Sequence, residues 1–137
     1  MDLAVGIDYR PLEDDVAPNA SWRIFPELDP WPAFVVGTSK DEFDGEPSQS
    51  YFSTFSKYIG HVAGLHVSPY AGATWIVELD EVNPVGGVVL GSPPYTAMWM
   101  YSGTDPHAVL SATFGGHTFS AIYHSFKFPG FGYAWRW

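Results

Sequence analysis

The 137-residue chain contains no cysteine, which excludes disulfide staples, thiolate metal centres and a cysteine nucleophile. Positive charge is scarce too, with six Lys and Arg against fifteen Asp and Glu and a formal net charge of −9. That balance repels phosphate backbones and anionic lipid surfaces, so neither nucleic acid nor a membrane is expected as a partner. No uninterrupted apolar stretch approaches the roughly 18 residues of a membrane-crossing helix. The opening residues Met1-Asp2-Leu3-Ala4-Val5-Gly6 have no basic segment and no apolar run of signal-peptide type. Cytoplasmic synthesis is therefore expected, with a virion as one destination. Walker, dinucleotide-binding and nucleophile-elbow patterns are missing as well.

What the chain does have is apolar bulk. At 46% hydrophobic and 18% aromatic residues, it is too rich in large side chains to remain disordered, and its length suits one core. Charge and proline are unevenly spread. Residues 1–46 hold eleven acidic and three basic side chains, whereas 47–137 hold four and three. Prolines 11, 18, 26, 30 and 32 deny this first third any long helix, since each removes a backbone donor and biases its predecessor toward extended structure. The division expected is an acidic, proline-rich extended arm over 1–46 and an antiparallel β domain over 47–137. Trp22, Phe25, Trp31 and Phe34 recur along the arm and read as anchors that dock on its own domain or on a neighbour. The alternative is a first strand with loops packed on the same core.

Beyond residue 70, apolar runs of four to eight residues alternate with Gly and Pro, as in Val85–Leu90, Tyr95–Tyr101 and Ala108–Phe114. This spacing predicts a mainly β fold, an antiparallel sandwich or jelly-roll-like barrel. Residues 48–63 read two ways. Phe52, Phe55, Ile59 and Val62 are spaced for one short helix around 48–60 with Ser48 as N-cap, whereas Tyr, Phe, Ser and Thr are mediocre helix formers and Gly60 and Gly64 interrupt its end, which leaves two strands as an equal alternative. The C-terminal Tyr133-Ala134-Trp135-Arg136-Trp137 places two tryptophans where a frayed tail would gain nothing from them. Trp135 and Trp137 therefore join the expected interface anchors.

The clearest local signal is Phe114-Gly115-Gly116-His117, a two-residue hairpin turn at positions that need positive φ. It pairs Ala112 with Phe119, Leu110 with Ala121 and Ser111 with Ser120, and it sets His107 directly opposite His124. Two imidazoles so placed could share a divalent metal; otherwise they complete a polar sheet face. His61 and His66, with four residues between them, fall on opposite faces of one strand or about 140° apart on a helix, and so form no clamp.

No catalytic set stands out, and both chain ends look docked. The function expected is thus non-enzymatic: a structural protein, homo-oligomeric or a capsid-decorating or tail component, gripping neighbouring subunits through arm and aromatic surface. The alternatives are a carbohydrate-binding β-sandwich module stacking exposed rings on sugars and a small metalloenzyme around His107 and His124. No cofactor is expected beyond that divalent ion.

Overall fold

The computed structural model describes residues 2–12, 14–43, 46–102 and 105–136, with the side chains of 41–43, 46, 47 and 128 outside the description. Eleven strands follow one another: β1 (Asp2–Arg10), β2 (Asp15–Phe25), β3 (Ala33–Phe43), β4 (Glu46–Ser56), β5 (Gly60–Val62), β6 (Leu65–Ile76), β7 (Glu81–Ser92), β8 (Tyr95–Tyr101), β9 (Pro106–Phe114), β10 (His117–His124) and β11 (Phe128–Arg136). Among the described residues there is no helix.

Each strand pairs antiparallel with its sequence neighbour, except that β4 pairs β6 and the three-residue β5 folds back on β6 alone. The pairing of β1 with β11 closes the ring. The antiparallel β architecture anticipated from the sequence is therefore present as a closed up-and-down barrel of ten strands, β5 being a hairpin appended to its rim. Closure leaves the wall without an edge strand.

Residues 1–46 do not run as a separate arm: β1, β2 and β3 are consecutive staves of the wall. Proline misleads here because Pro11, Pro26, Pro30 and Pro32 all lie in the connections between strands, where a missing N–H costs nothing. The helix around 48–60 is likewise absent. Residues 46–56 form β4, with Phe52 in one phase of the pleat beside Gly37 and Phe55 in the other beside Phe34. The three-and-four spacing of aromatics was a coincidence of two strands and a turn, and the β preference of Tyr, Phe and Thr decided the outcome.

The Gly115-Gly116 hairpin has the anticipated register pair by pair, from Phe114↔His117 to His107↔His124. Both glycines hold positive φ, 55° and 84°, as a type I′ turn requires.

Candidate functional site

The wall has two faces of very different chemistry. Because side chains alternate across a strand, each register pair shares a face. Val5, Ile7 and Tyr9 share theirs with Trp135, Tyr133 and Phe131 on β11 and with Ala20, Pro18 and Val16 on β2. Carried round the ring, this phase comprises Trp22 and Val36, Phe34 and Phe55, Tyr51 and Trp75, Pro69 and Val88, Ala97 and Leu110, and Ala121 and Phe131. This is the outer face: Ile7 is 50% exposed, Leu110 63%, Phe119 56% and Trp99 51%.

No charged side chain occupies an outward register position until Lys40, where β3 has passed its last partner on β2 at Thr38 and pairs with β4 alone. There the Lys40 ammonium turns to Asp15, 3.4 Å away. Aromatic rings concentrate toward the two strand ends. Trp22, Phe34, Phe55, Tyr95, Phe114 and Trp135 lie near the end that carries both termini, and Tyr9, Trp75, Tyr101 and Tyr123 near the other. Small and aliphatic residues such as Val5, Ala20, Ala73, Ala97 and Leu110 fill the positions between.

The inner phase is small and polar. Asp8, Arg10, Asn19, Ser39, Ser50, Thr74, His107, Ser111, Ser120 and His124 alternate with glycines and alanines, joined by Phe52, Tyr70, Met98, Met100 and a few valines. These groups satisfy one another across strands. Asn19 Nδ2 donates to Asp8 Oδ2 (3.0 Å), and the Ser111 and Ser120 hydroxyls meet at 2.8 Å, as do those of Thr113 and Thr118 at 2.9 Å. Arg10, only 5% exposed, lies 3.4 Å from its register partner Asp15 and donates to the Lys40 carbonyl at 3.1 Å. Two adjoining cavities remain, about 260 Å³ beside Asp8, Arg10 and the histidines and about 350 Å³ beside Phe52, Tyr70 and Met98; Ser39 and Met100 line both.

In consequence, the only buried apolar side chains among the described residues are Ala17, Ala33 and Ile76, whereas thirty large apolar or aromatic side chains are exposed. A barrel folding in water arranges these classes the other way round.

His107 and His124 do meet, with ring centroids 4.9 Å apart at 77°, but hydrogen bonds already engage His107. The Ser125 N–H donates to its Nδ1 (3.1 Å), which fixes the proton on Nε2, and Nε2 lies 3.0 Å from Ser102 Oγ. Ser102 Oγ in turn donates to the Asp105 carbonyl at 3.1 Å, so it accepts from His107. Binding a metal through His107 would break one of these bonds. Among the described residues, no group of three or more His, Asp or Glu is placed to hold a metal.

Of the anchors read from the sequence, Trp22, Phe25, Phe34 and Trp135 belong to the outer phase, and Trp31 lies in the β2–β3 connection at 72% exposure. Trp137 lies outside the described residues. Sequence reasoning missed a different pair. His61 and His66 are not on one continuous strand: a turn at Ala63-Gly64 makes them direct partners in the β5–β6 hairpin. Their Nε2 atoms are 3.2 Å apart. The available signal was the Ala63-Gly64 dipeptide between Val62 and Leu65, the same sum-of-positions rule that places His107 opposite His124.

Fold and surface together define a closed antiparallel barrel with an apolar, aromatic exterior and a polar interior. Comparison of the chain with protein-family models, with curated proteins and with solved structures finds no match.

Proposed function

We propose that the protein is an integral β-barrel of a lipid bilayer, with its wall facing acyl chains and its lumen filled by a polar side-chain network. The observation that carries this reading is an outer face that, where the ten strands pair into the closed ring, has no charged side chain among the described residues, set against a largely polar inner face. In hydrocarbon every backbone group must be paired within the protein, and a closed barrel achieves this. Outward apolar alternation, aromatic girdles near both ends and an even strand number are the recurring features of such barrels. Length agrees: the wall strands run from seven to twelve residues, and about ten residues at ~3.3 Å each, tilted by ~40°, cross about 25 Å, the height of the apolar band of such barrels.

The two grounds for expecting no membrane partner do not bear on this geometry. Net charge counts every residue, but among the described residues the charged side chains sit in the lumen, the rim and the connections. The absence of a long apolar helix, which also holds among the described residues, concerns helices alone. An assembly role of the kind read from the sequence would need neighbours covering the whole circumference, whereas closed point-group assemblies cover one or two patches of each subunit.

The test is phase behaviour. The chain should stay with membranes through alkaline carbonate and urea washes, enter solution only with detergent, and refold into phosphatidylcholine vesicles. Brominated lipids should then quench the fluorescence of Trp22, Trp75, Trp99 and Trp135. A detergent-free monomer, or a closed oligomer whose tryptophans ignore brominated lipid, would overturn the reading; the oligomer would favour assembly.

A further inference from the structure

We propose that the β5–β6 rim hairpin is a two-histidine binding site for a divalent transition metal, independent of whether the barrel wall meets lipid. The site is built by the turn. Ala63 and Gly64 hold φ of 51° and 81°, the type I′ geometry that keeps a two-residue hairpin in register. His61 and His66 thereby become cross-strand partners, with exposed rings whose centroids are 4.1 Å apart.

The 3.2 Å between the two Nε2 atoms is the decisive distance. Two imidazole nitrogens on a tetrahedral ion at about 2.05 Å each stand roughly 3.3 Å apart, so both ligands are already spaced for one ion. Without metal, a single ring proton bridges the two nitrogens. Metal takes its place when that proton moves to a ring Nδ1, and both rings remain neutral.

A second group orients the clamp. Tyr58 Oη lies 2.6 Å from His61 Nδ1, positioned to accept the Nδ1–H that a metal-bound His61 would carry. Tyr58 is itself fixed, because its backbone N–H donates to both carboxylate oxygens of Glu27 at 3.1 and 3.0 Å. Such an outer partner sets tautomer and ring direction at histidine sites. The remaining coordination positions open to water, and neutral imidazole ligands favour Cu²⁺ over Zn²⁺ and Ni²⁺.

The experiment is calorimetric titration of the untagged, folded chain, in detergent or in buffer alone as its solubility requires, with Cu²⁺ and Zn²⁺ under non-coordinating conditions, with EPR of the copper complex. One site per chain is expected, with hyperfine structure from two nitrogens and Cu²⁺ binding tighter than Zn²⁺. His61→Ala, His66→Ala and the milder His66→Gln should each weaken it at least about tenfold, and Tyr58→Phe by up to about tenfold. Because β5 pairs with β6 alone and both imidazole rings are exposed, circular dichroism of these variants should match the parent. No binding to the parent chain, or binding unchanged in His61→Ala/His66→Ala, would overturn the proposal.

Discussion

Replacing Leu110 with arginine should destabilise the barrel in phosphatidylcholine vesicles by about 2–4 kcal/mol, the cost of a cation at the midplane of a lipid-facing wall. Leu110 is the apt position because it lies mid-strand on β9 between Ala121 on β10 and Ala97 on β8, and is 63% exposed. Its direct cross-strand neighbours are alanines and the nearby rings of Tyr95, Phe119 and Phe131 carry no charge, so the arginine meets no carboxylate and the surrounding medium decides the result. For a wall facing water, the same substitution at an exposed site would stay within about ±0.5 kcal/mol. Phe114, at the end of the same strand beside the Gly115-Gly116 turn, provides an internal depth scale. Near the interface, Phe114→Arg should cost only about 0–1 kcal/mol. Urea titrations of vesicle-refolded protein, followed by tryptophan emission, measure both. Equal and negligible effects at the two positions would place water, not lipid, against the wall.

The sequence disclosed the strands more readily than their arrangement. Short apolar runs and glycine punctuation announced antiparallel β structure, and Gly115-Gly116 fixed a register correct at every pair, because a two-residue turn leaves no freedom in pairing. Closure was not legible: whether β1 meets β11 depends on contacts more than a hundred residues apart, and no local pattern encodes them. The prolines of residues 1–46 were read as an arm, since propensity rules do not distinguish a proline in a turn from one interrupting a strand.

The polarity of the wall was present in the sequence but ambiguous. Phe131, Tyr133 and Trp135 alternate with Gly130, Gly132 and Ala134, and period-two alternation alone does not say which phase faces inward. Only the structure assigns Asp8, Asn19 and His107 to the interior. His61 and His66 were misjudged for a related reason, as a turn inserted between them reverses the parity argument that separated them.

The polar lumen should account for the other large effect. Arg10→Met retains an apolar stem of comparable length but strips the charge from a side chain that is 6% exposed. Asp15 then loses its register partner and retains the Lys40 ammonium at 3.4 Å, while the Lys40 carbonyl loses its donor. Breaking a buried ion pair from one side costs about 3–5 kcal/mol. The lower end applies here, since the Asp15 side chain is 26% exposed and keeps Lys40. Asp15→Asn should destabilise as well, because it takes the carboxylate charge from both Arg10 and Lys40. The double variant Arg10→Met/Asp15→Asn should lose less than the sum of the two, since both single changes remove the same Arg10–Asp15 contact. The Arg23–Asp2 bridge supplies the contrast: with side chains 37% and 44% exposed, Arg23→Met should cost no more than about 1 kcal/mol and vary with salt. Denaturant titrations of all four variants resolve the difference. A large, salt-independent loss confined to the Arg10 pair would mean that the lumen, not an apolar core, holds the staves in register.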